Sequence, residues 1–482
     1  MVRIDRTDLH ILNMRARMPF RYGIATLLAL PHLLVRVELE LDGRRQVGIA
    51  ADGLAPKWFT KDPNTTFAED VDDMLRVSEA ACAFARNATR AASIFDLWQQ
   101  VYRAQDGWAA AQGFPPLLAG FGVSLVERAM LDAFCRLTAM PFAVALRTNT
   151  LGIRLGELHG ALANAVPAQF LPPAARRTVR VRHTVGLSDP LTDAEIPPED
   201  RLADGLPQSL ETAIQTYGLT HFKIKLWGNA DRDLPRLQQI AAVLAANNPD
   251  YAFTLDGNEQ YHDVGAFRQF WQTLESAPAL TTFLPRLLFV EQPLHRDVAL
   301  DPAIGAALVA WHDRPSIIID ESDSGLGSVP AALERGYAGA SHKNCKGIVK
   351  GIANACLLEQ RRRDDPAGRY LLSGEDLANV GPVALLQDLA LMANLGIAHV
   401  ERNGHHYFTG LSMYPDDVQE RVLTAHPDLY RRHERGYATL RIRKGTVQTG
   451  SVVDAPFGLG FDLDPGRFTP REQWDVRSLE AE

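Results

Sequence analysis

The chain has 482 residues, with a hydrophobic fraction of 46% and a charged fraction of 22%, a composition typical of a folded globular protein. Its net charge is −8 and no basic run is interleaved with aromatic residues, so nucleic acid is not an expected partner. No apolar run is long enough to span a bilayer, and the N-terminus is polar. Its four cysteines lack metal-site or disulfide spacing. These features predict a cytoplasmic protein without a membrane partner.

The N-terminal part of the chain predicts a small sheet followed by helices. Residues 4–49 alternate apolar and polar positions, which is typical of strands, and Asp42-Gly43 is a hairpin signal. From Thr66 to Met140 the apolar residues recur at helical spacing, and the first helix begins with acidic residues.

Five apolar runs between Thr220 and Gly347 each stop at a charged residue. Four of them are β-branched or aromatic enough to form buried strands. Helical patterns separate the first few, so the order predicts parallel strands in either a βα barrel or a doubly wound sheet. The runs are THFKIKLW, YAFTLDGN, LLFVEQPL, SIIIDESD and GASHKNCKG.

In a βα barrel, side chains at the C-terminal ends of the strands converge on one site. We therefore expect the charged residues that end these runs to face one another. They are Lys223, Lys225, Asp256, Glu291, Asp320 and Lys343. Three carboxylates from three strands form a place for Mg²⁺, a hard cation that prefers oxygen ligands and keeps positions open for substrate.

Two lysines on the first of these strands predict a base. Lys223 and Lys225 share one face of the strand, because side chains alternate between faces. A buried lysine pair depresses the pKa of one member, which yields a neutral amine that can accept a proton. A cation that binds a carboxylate substrate, with bases beside it, predicts removal of the proton α to that carboxylate.

The remaining runs predict further strands. VRVRHTVG lies before Thr220, and RYLLSGED and IAHVERNGHHYF follow Gly347. Glu375 and Asp376 end the first of these two later runs. Residues 150–205 carry no chemistry that can be assigned from the sequence.

The order KxK, D, E in VEQP, D in DES and K in KxxKG resembles the enolase superfamily. Within it, the pattern is similar to the muconate lactonizing enzyme subgroup of the mandelate racemase-like proteins. The interval from Asp256 to Glu291 is longer than is usual there, and Gly347-Ile348 stands where a double glycine is usual.

This resemblance implies an α/β fold: a modified TIM (β/α)7β barrel with an N-terminal α+β capping domain that the C-terminal segment completes. We expect the cap at residues 1–150, the barrel at 177–425 and the returning segment at 426–482. It also implies that two cap loops, Pro19 to Thr26 and Ala51 to Phe59, close over the barrel mouth and contact the substrate.

The resemblance further implies roles for individual residues. Asp256, Glu291 and Asp320 match the metal ligands, and Lys225 and Lys343 match the two catalytic bases, with Lys223 beside them. The expected substrate contacts are Glu401, Tyr22 and Trp58. A histidine base of the mandelate racemase kind, from among His399, His405 and His406, is an alternative, although Lys343 already occupies the sixth strand.

The leading hypothesis is a Mg²⁺-dependent enzyme that removes an α-proton from a small carboxylate substrate and stabilises the enolate. Racemisation, epimerisation or cycloisomerisation would follow, and dehydration of an acid sugar is an alternative outcome. A non-catalytic metal-binding barrel is a second alternative. The missing Gly-rich loop argues against a nucleotide-binding protein. We expect a homo-oligomer.

Overall fold

The computed structural model describes residues 1–22 and 25–480, without the side chains of Tyr22 and Ala25. In this part of the chain the strands are β1 Val2–Tyr22, β2 Ala25–Leu41, β3 Arg44–Gly53, β4 Thr178–Val185, β5 His221–Lys225, β6 Ala252–Asp256, β7 Leu287–Glu291, β8 Ile317–Ile319, β9 Gly339–His342, β10 Leu371–Gly374, β11 His399–Glu401, β12 Tyr430–Arg432, β13 Ala438–Leu440, β14 Thr446–Gln448 and β15 Thr469–Pro470.

The helices in the same residues are α1 Phe67–Asn87, α2 Ile94–Gln112, α3 Pro116–Thr138, α4 Phe142–Arg147, α5 Leu210–Tyr217, α6 Ala230–Asn247, α7 Val264–Glu275, α8 Pro302–Ala310, α9 Ser328–Glu334, α10 Ile348–Asp364, α11 Ala384–Asn394, α12 Gly404–Tyr407, α13 Asp416–Ala425 and α14 Gly450–Asp454. The prediction of a helix after Thr66 is confirmed. Thr66 caps α1, and Glu69 completes a capping box.

Strands β4 to β11 form a closed parallel barrel in chain order. Each strand pairs with the next, and β11 pairs with β4 through Val400 and Val181, which closes the sheet. Helices α5 to α11 connect successive strands. The predicted (β/α)7β barrel is therefore confirmed, and the doubly wound sheet is wrong because the sheet has no open edge between β4 and β11.

Alternation along β5 shows why these strands position the site. Phe222 and Ile224 are fully buried on one face of the strand. Lys223 and Lys225 occupy the other face and point into the barrel, where Lys223 contacts acids from several strands. One strand therefore supplies both core packing and site chemistry.

The cap is an antiparallel sheet of β1, β2 and β3, packed against α1 and α3. Strand β15 adds to the outer edge of β1, with Ile11 opposite Thr469. The C-terminal segment thus returns to the cap sheet, as the sequence predicted.

The segment predicted as the first cap loop is mostly a β-hairpin. After an irregularity in the pairing between Arg15 and Phe20, Phe20 pairs with Leu27 and Arg21 with Thr26. The strands β1 and β2 extend further than predicted, because the alternation of buried and exposed residues continues past Pro19. Residues 23–24 of this segment lie outside the described residues. In the described chain, no helix has the length and apolar character needed to cross a membrane.

Candidate active site

The six charged residues predicted to face one another all lie at the C-terminal ends of barrel strands. Lys225, Asp256 and Glu291 are the last residues of β5, β6 and β7, and Lys223 lies two positions before Lys225 on β5. The other two, Asp320 and Lys343, directly follow β8 and β9. All six side chains are buried, except that Lys225 keeps 11% of its side-chain surface exposed.

Lys223 lies at the centre of this group. Its Nζ is 2.8 Å from Glu375 Oε2, 2.9 Å from Glu291 Oε1, 3.0 Å from Glu401 Oε2 and 3.1 Å from Asp256 Oδ2. An ammonium group with four carboxylate partners is held in one orientation. Lys223 therefore organises the charge of the site. It also lines the cavity under the cap, and its catalytic role remains a prediction.

The other two lysines approach the acids from different sides of the barrel. Lys225 Nζ donates to Asp256 Oδ2 at 2.6 Å and to Asn258 Oδ1 at 3.2 Å. Lys343 Nζ donates to Asp320 Oδ2 at 2.7 Å and to Glu375 Oε2 at 2.8 Å. The two amines come from the second and sixth of eight barrel strands, which lie across the barrel from each other.

The predicted depression of the lysine pKa is wrong for this arrangement. Burial lowers the pKa of Lys225, but the charges of Asp256, Glu401 and Glu291 together outweigh it, and the pKa ends above its usual value. Burial likewise lowers the pKa of Lys343, while Asp320 and Glu375 raise it well above normal. The prediction considered only the repulsion between two neighbouring ammonium groups. In the structure, carboxylates surround these groups and favour their charged form.

Three buried carboxylates lie close enough to hold one metal ion. Oxygens of Glu291, Asp320 and Glu375 lie within 4.8 Å of one another. This triad contains two of the predicted ligands, Glu291 and Asp320, and has Glu375 in place of Asp256. Asp256 Oδ2 is engaged by both Lys223 and Lys225. The identity of the ligands remains a prediction.

The residues present fit a hard cation. Glu291 Oε2 is buried and has no hydrogen-bond partner among the described residues. Burial raises the pKa of Glu291 well above its usual value, and the neighbouring Glu375 charge adds to it. A donor set of carboxylate oxygens with one oxygen unpaired suits Mg²⁺.

Sequence reasoning did not assign a role to Glu375, which directly follows β10. Its Oε2 accepts from both Lys223 and Lys343, and its Oε1 accepts from Arg182 Nη2 at 2.7 Å. Burial raises its pKa, but the two lysines lower it well below normal. The sequence could have identified Glu375 by its position at the C-terminal end of a strand, because Asp256 and Glu291 were identified in that way.

Glu401, a predicted substrate contact, lies within the charged group. Its Oε2 accepts from Lys223 and its Oε1 accepts from Thr184 Oγ1 at 2.5 Å. Both oxygens are thus engaged by protein groups, and substrate contact by Glu401 remains a prediction.

The cap covers the charged group and leaves a cavity of about 50 Å³. Phe20, Leu27 and Trp58 line it from the cap side, opposite Lys225 and Lys343. The Trp58 ring lies 5.1 Å from Lys343 Nζ, within cation–π range. The predicted cap segments therefore meet the strand ends. The Tyr22 side chain, a further predicted contact, lies outside the described residues.

Comparisons with known proteins were made by sequence and by structure. No family model matches the chain, and no curated protein matches it. Among solved structures, a mandelate racemase/muconate lactonizing protein from Herpetosiphon aurantiacus is 18% identical, with 96% of this chain and 99% of that chain covered and a TM-score of 0.55. The muconate lactonizing enzyme from Pseudomonas fluorescens, complexed with muconolactone, is 15% identical, with 96% and 98% covered and a TM-score of 0.57.

A dipeptide epimerase from Enterococcus faecalis, complexed with Mg and the dipeptide L-Leu-L-Tyr, is 14% identical, with 84% of this chain and 92% of that chain covered and a TM-score of 0.55. This chain has the mandelate racemase/muconate lactonizing enzyme fold. The resemblance drawn from the sequence motifs is thereby confirmed at the level of the fold.

The histidines do not face the lysines of this mandelate racemase-like barrel. His399 Nδ1 pairs with Arg182 Nη1 at 2.9 Å. Its ring contacts that of His221 in a tilted arrangement, and both residues begin their strands, at the opposite end from the lysines. His405 and His406 belong to α12 and pack against His183. The alternative of a histidine base therefore has no support from their positions.

Proposed function

We propose that this chain is a Mg²⁺-dependent enzyme that removes the proton α to the carboxylate of a small substrate, leading to racemisation, epimerisation or cycloisomerisation. One observation carries the proposal: Lys225 and Lys343 approach a cluster of buried carboxylates from opposite sides, beneath a cavity that the cap closes. The similar structures include a dipeptide epimerase and a muconate lactonizing enzyme, which supports the same reaction class.

Glu291 and Asp320 would hold the Mg²⁺ ion, with Asp256 or Glu375 as a third ligand. Glu291 and Asp320 are shared by the sequence prediction and by the carboxylate triad. When bound, the ion would supply positive charge both to the substrate carboxylate and to the acids now paired with the lysines.

The two lysines would each serve one face of the substrate. A planar enolate between β5 and β9 presents one face to Lys225 and the other to Lys343. One lysine, as a neutral amine, removes the α-proton from one face. The other lysine, as an ammonium, then returns a proton to the opposite face, which inverts the configuration of the α-carbon. A positioned general base contributes about 10² to 10⁴ in rate.

The remaining residues would orient and enclose the substrate. Lys223, fixed by four carboxylates, keeps the acids from separating and adds positive charge near the site. Phe20, Leu27 and Trp58 would exclude water from the enolate and favour a compact substrate with an apolar substituent.

The test is a substrate screen in D₂O. Acid sugars, N-acyl amino acids and dipeptides are incubated with the protein and Mg²⁺, and α-deuterium is detected by mass spectrometry. We expect exchange in at least one compound, abolished by EDTA and restored by Mg²⁺. Exchange that persists in EDTA would contradict Mg²⁺ dependence. Absence of exchange across compounds that bind would contradict proton abstraction.

A further inference from the structure

Glu127 links the cap to the barrel through two backbone hydrogen bonds. It lies in α3 of the cap and is 1% exposed. Its Oε2 accepts from Ile348 N–H at 2.9 Å and its Oε1 from Val349 N–H at 2.5 Å. These two residues begin α10, a barrel helix. A cap side chain therefore satisfies the free N–H groups at the start of a barrel helix.

Helix α10 depends on this distant carboxylate for its N-terminal cap. Gly347 stands at the N-cap position and has no side chain with which to cap the helix. Its φ is +106°, a value that favours glycine, and a Cβ there would lie 3.4 Å from Glu127 Oε2. The positive φ therefore favours glycine at this position, and the Glu127 carboxylate supplies the cap that glycine lacks.

The capped helix start immediately follows the turn that carries Lys343. Residues Asn344–Lys346 form a single 3-10 turn between Lys343 and Gly347. Lys346 Nζ donates to Asp320 Oδ1 at 2.7 Å, which ties the end of the turn to the carboxylates. With only four residues between Lys343 and Ile348, a shift of the helix start moves the Lys343 backbone.

The next residue of α3 fixes the opposite wall of the site. Arg128 Nη2 donates to Asp52 Oδ2 at 2.8 Å and Nη1 to Ala51 O at 2.9 Å, with both charged side chains fully buried. The chain continues from Asp52 to Trp58, whose ring faces Lys343. Glu127 therefore holds the segment that follows Lys343, and the adjacent Arg128 holds the segment that leads to Trp58.

We infer that Glu127 is a positioning residue for Lys343, acting through the start of α10. The inference about its effect on the reaction rests on the proposed function. Lys225, on β5, donates hydrogen bonds to Asp256 and Asn258, and in the described part of the chain it forms no hydrogen bond or ion pair with α3 or α10. Loss of the Glu127 carboxylate should therefore slow proton transfer by Lys343 more than proton transfer by Lys225.

The first test measures structure without substrate. In Glu127→Ala, backbone amide exchange by mass spectrometry should accelerate in peptides spanning 343–352, by roughly five- to tenfold, as for loss of a helix cap. Peptides spanning 221–230 should be unchanged. Glu127→Gln, which keeps one acceptor oxygen, should fall between. Glu334→Ala, an exposed position at the end of α9, is the matched control. Unchanged exchange at 343–352 would overturn the inference whatever the reaction proves to be.

The second test measures each half of the reaction with a substrate found in the D₂O screen. Lys343→Ala first identifies the stereoisomer whose exchange depends on Lys343. In Glu127→Ala that exchange should fall at least about fivefold, while exchange of the other stereoisomer changes less than about twofold. Glu127→Gln should recover part of the loss, and it serves alone if the alanine variant does not fold. An equal loss for both stereoisomers would overturn the positioning role. Absence of exchange in the unmodified protein would instead overturn the proposed function.

Discussion

Lys223 and Lys343 donate hydrogen bonds to the same atom, Oε2 of Glu375, at 2.8 Å each. This shared acceptor joins the second and sixth barrel strands through a residue that follows the seventh. Since the second and sixth strands carry the two proposed bases, Glu375 sits between the two halves of the proposed reaction.

We expect Glu375→Ala to destabilise the protein. Removing the carboxylate takes an acceptor from three buried cations, Lys223, Lys343 and Arg182, which costs about 3 to 5 kcal/mol of unfolding free energy. Glu375→Gln should cost less, because it keeps an acceptor oxygen. Urea unfolding followed by circular dichroism measures both. Glu334→Gln, an exposed acid, is the control, and a Glu375→Ala midpoint equal to that of the control would contradict this account.

The metal assignment predicts that Glu291→Gln weakens Mg²⁺ binding by tenfold or more while the protein stays folded. Calorimetry measures the affinity. Asp256→Asn and Glu375→Gln, compared under the same conditions, identify the third ligand, because only the ligand position should lower the affinity comparably. Unchanged affinity in Glu291→Gln would contradict the site.

Trp58 should control access to Lys343. Trp58→Ala removes the ring that lies 5.1 Å from Lys343 Nζ and opens the cavity. We expect a higher KM and turnover of bulkier substrates in Trp58→Ala. Trp58→Phe should behave like the unmodified protein, since it retains an aromatic face. Steady-state kinetics on compounds of increasing size provide the measurement. Identical size dependence in Trp58→Ala would show that the ring does not shape the cavity.

The free energy of unfolding should decrease in acid because the protein contains buried histidines. Burial lowers the pKa of His183 to about 4. The unfolded chain therefore takes up a proton first, near its usual pKa of about 6.5. Stability should fall as the pH drops from 6.5 towards 4, by at most about 1.4 kcal/mol per pH unit for this group, and should flatten below 4.

Urea unfolding at pH 7, 6 and 5 tests this prediction. His183→Leu should reduce the pH slope, whereas His312→Asn, at an exposed position, should leave it unchanged. Equal slopes in the unmodified protein and His183→Leu would show that His183 does not contribute.

Much of the barrel and most of the charged group were predictable from the sequence. A buried strand needs a continuous apolar run, which the sequence shows directly. Charged residues at the C-terminal ends of such runs converge in a barrel, and this selects Lys225, Asp256 and Glu291 without knowledge of distances. The sign of the lysine pKa was not predictable, because it depends on Lys225 Nζ lying 2.6 Å from Asp256 Oδ2.

Contacts between distant segments were also beyond sequence reasoning. Glu127 meets Ile348 across 221 positions of the chain, and nothing in the local pattern of α3 marks that residue. Arg182 and Glu375 meet across 193 positions for the same reason. The extent of the first cap hairpin was missed because β1 and β2 resume pairing after an irregularity between Arg15 and Phe20, which the sequence alone does not reveal.

The central claim is that Lys225 and Lys343 act on opposite faces of one substrate. The most direct measurement is α-deuterium incorporation into each separate stereoisomer in D₂O with Mg²⁺, using Lys225→Ala and Lys343→Ala, with the exposed Lys444→Asn as control. We expect the rate of net inversion to fall by about 10² or more in each of the two lysine variants. Each should still exchange one stereoisomer, with opposite preferences. Near-normal inversion in either variant, or the same stereoisomer exchanged by both, would contradict it.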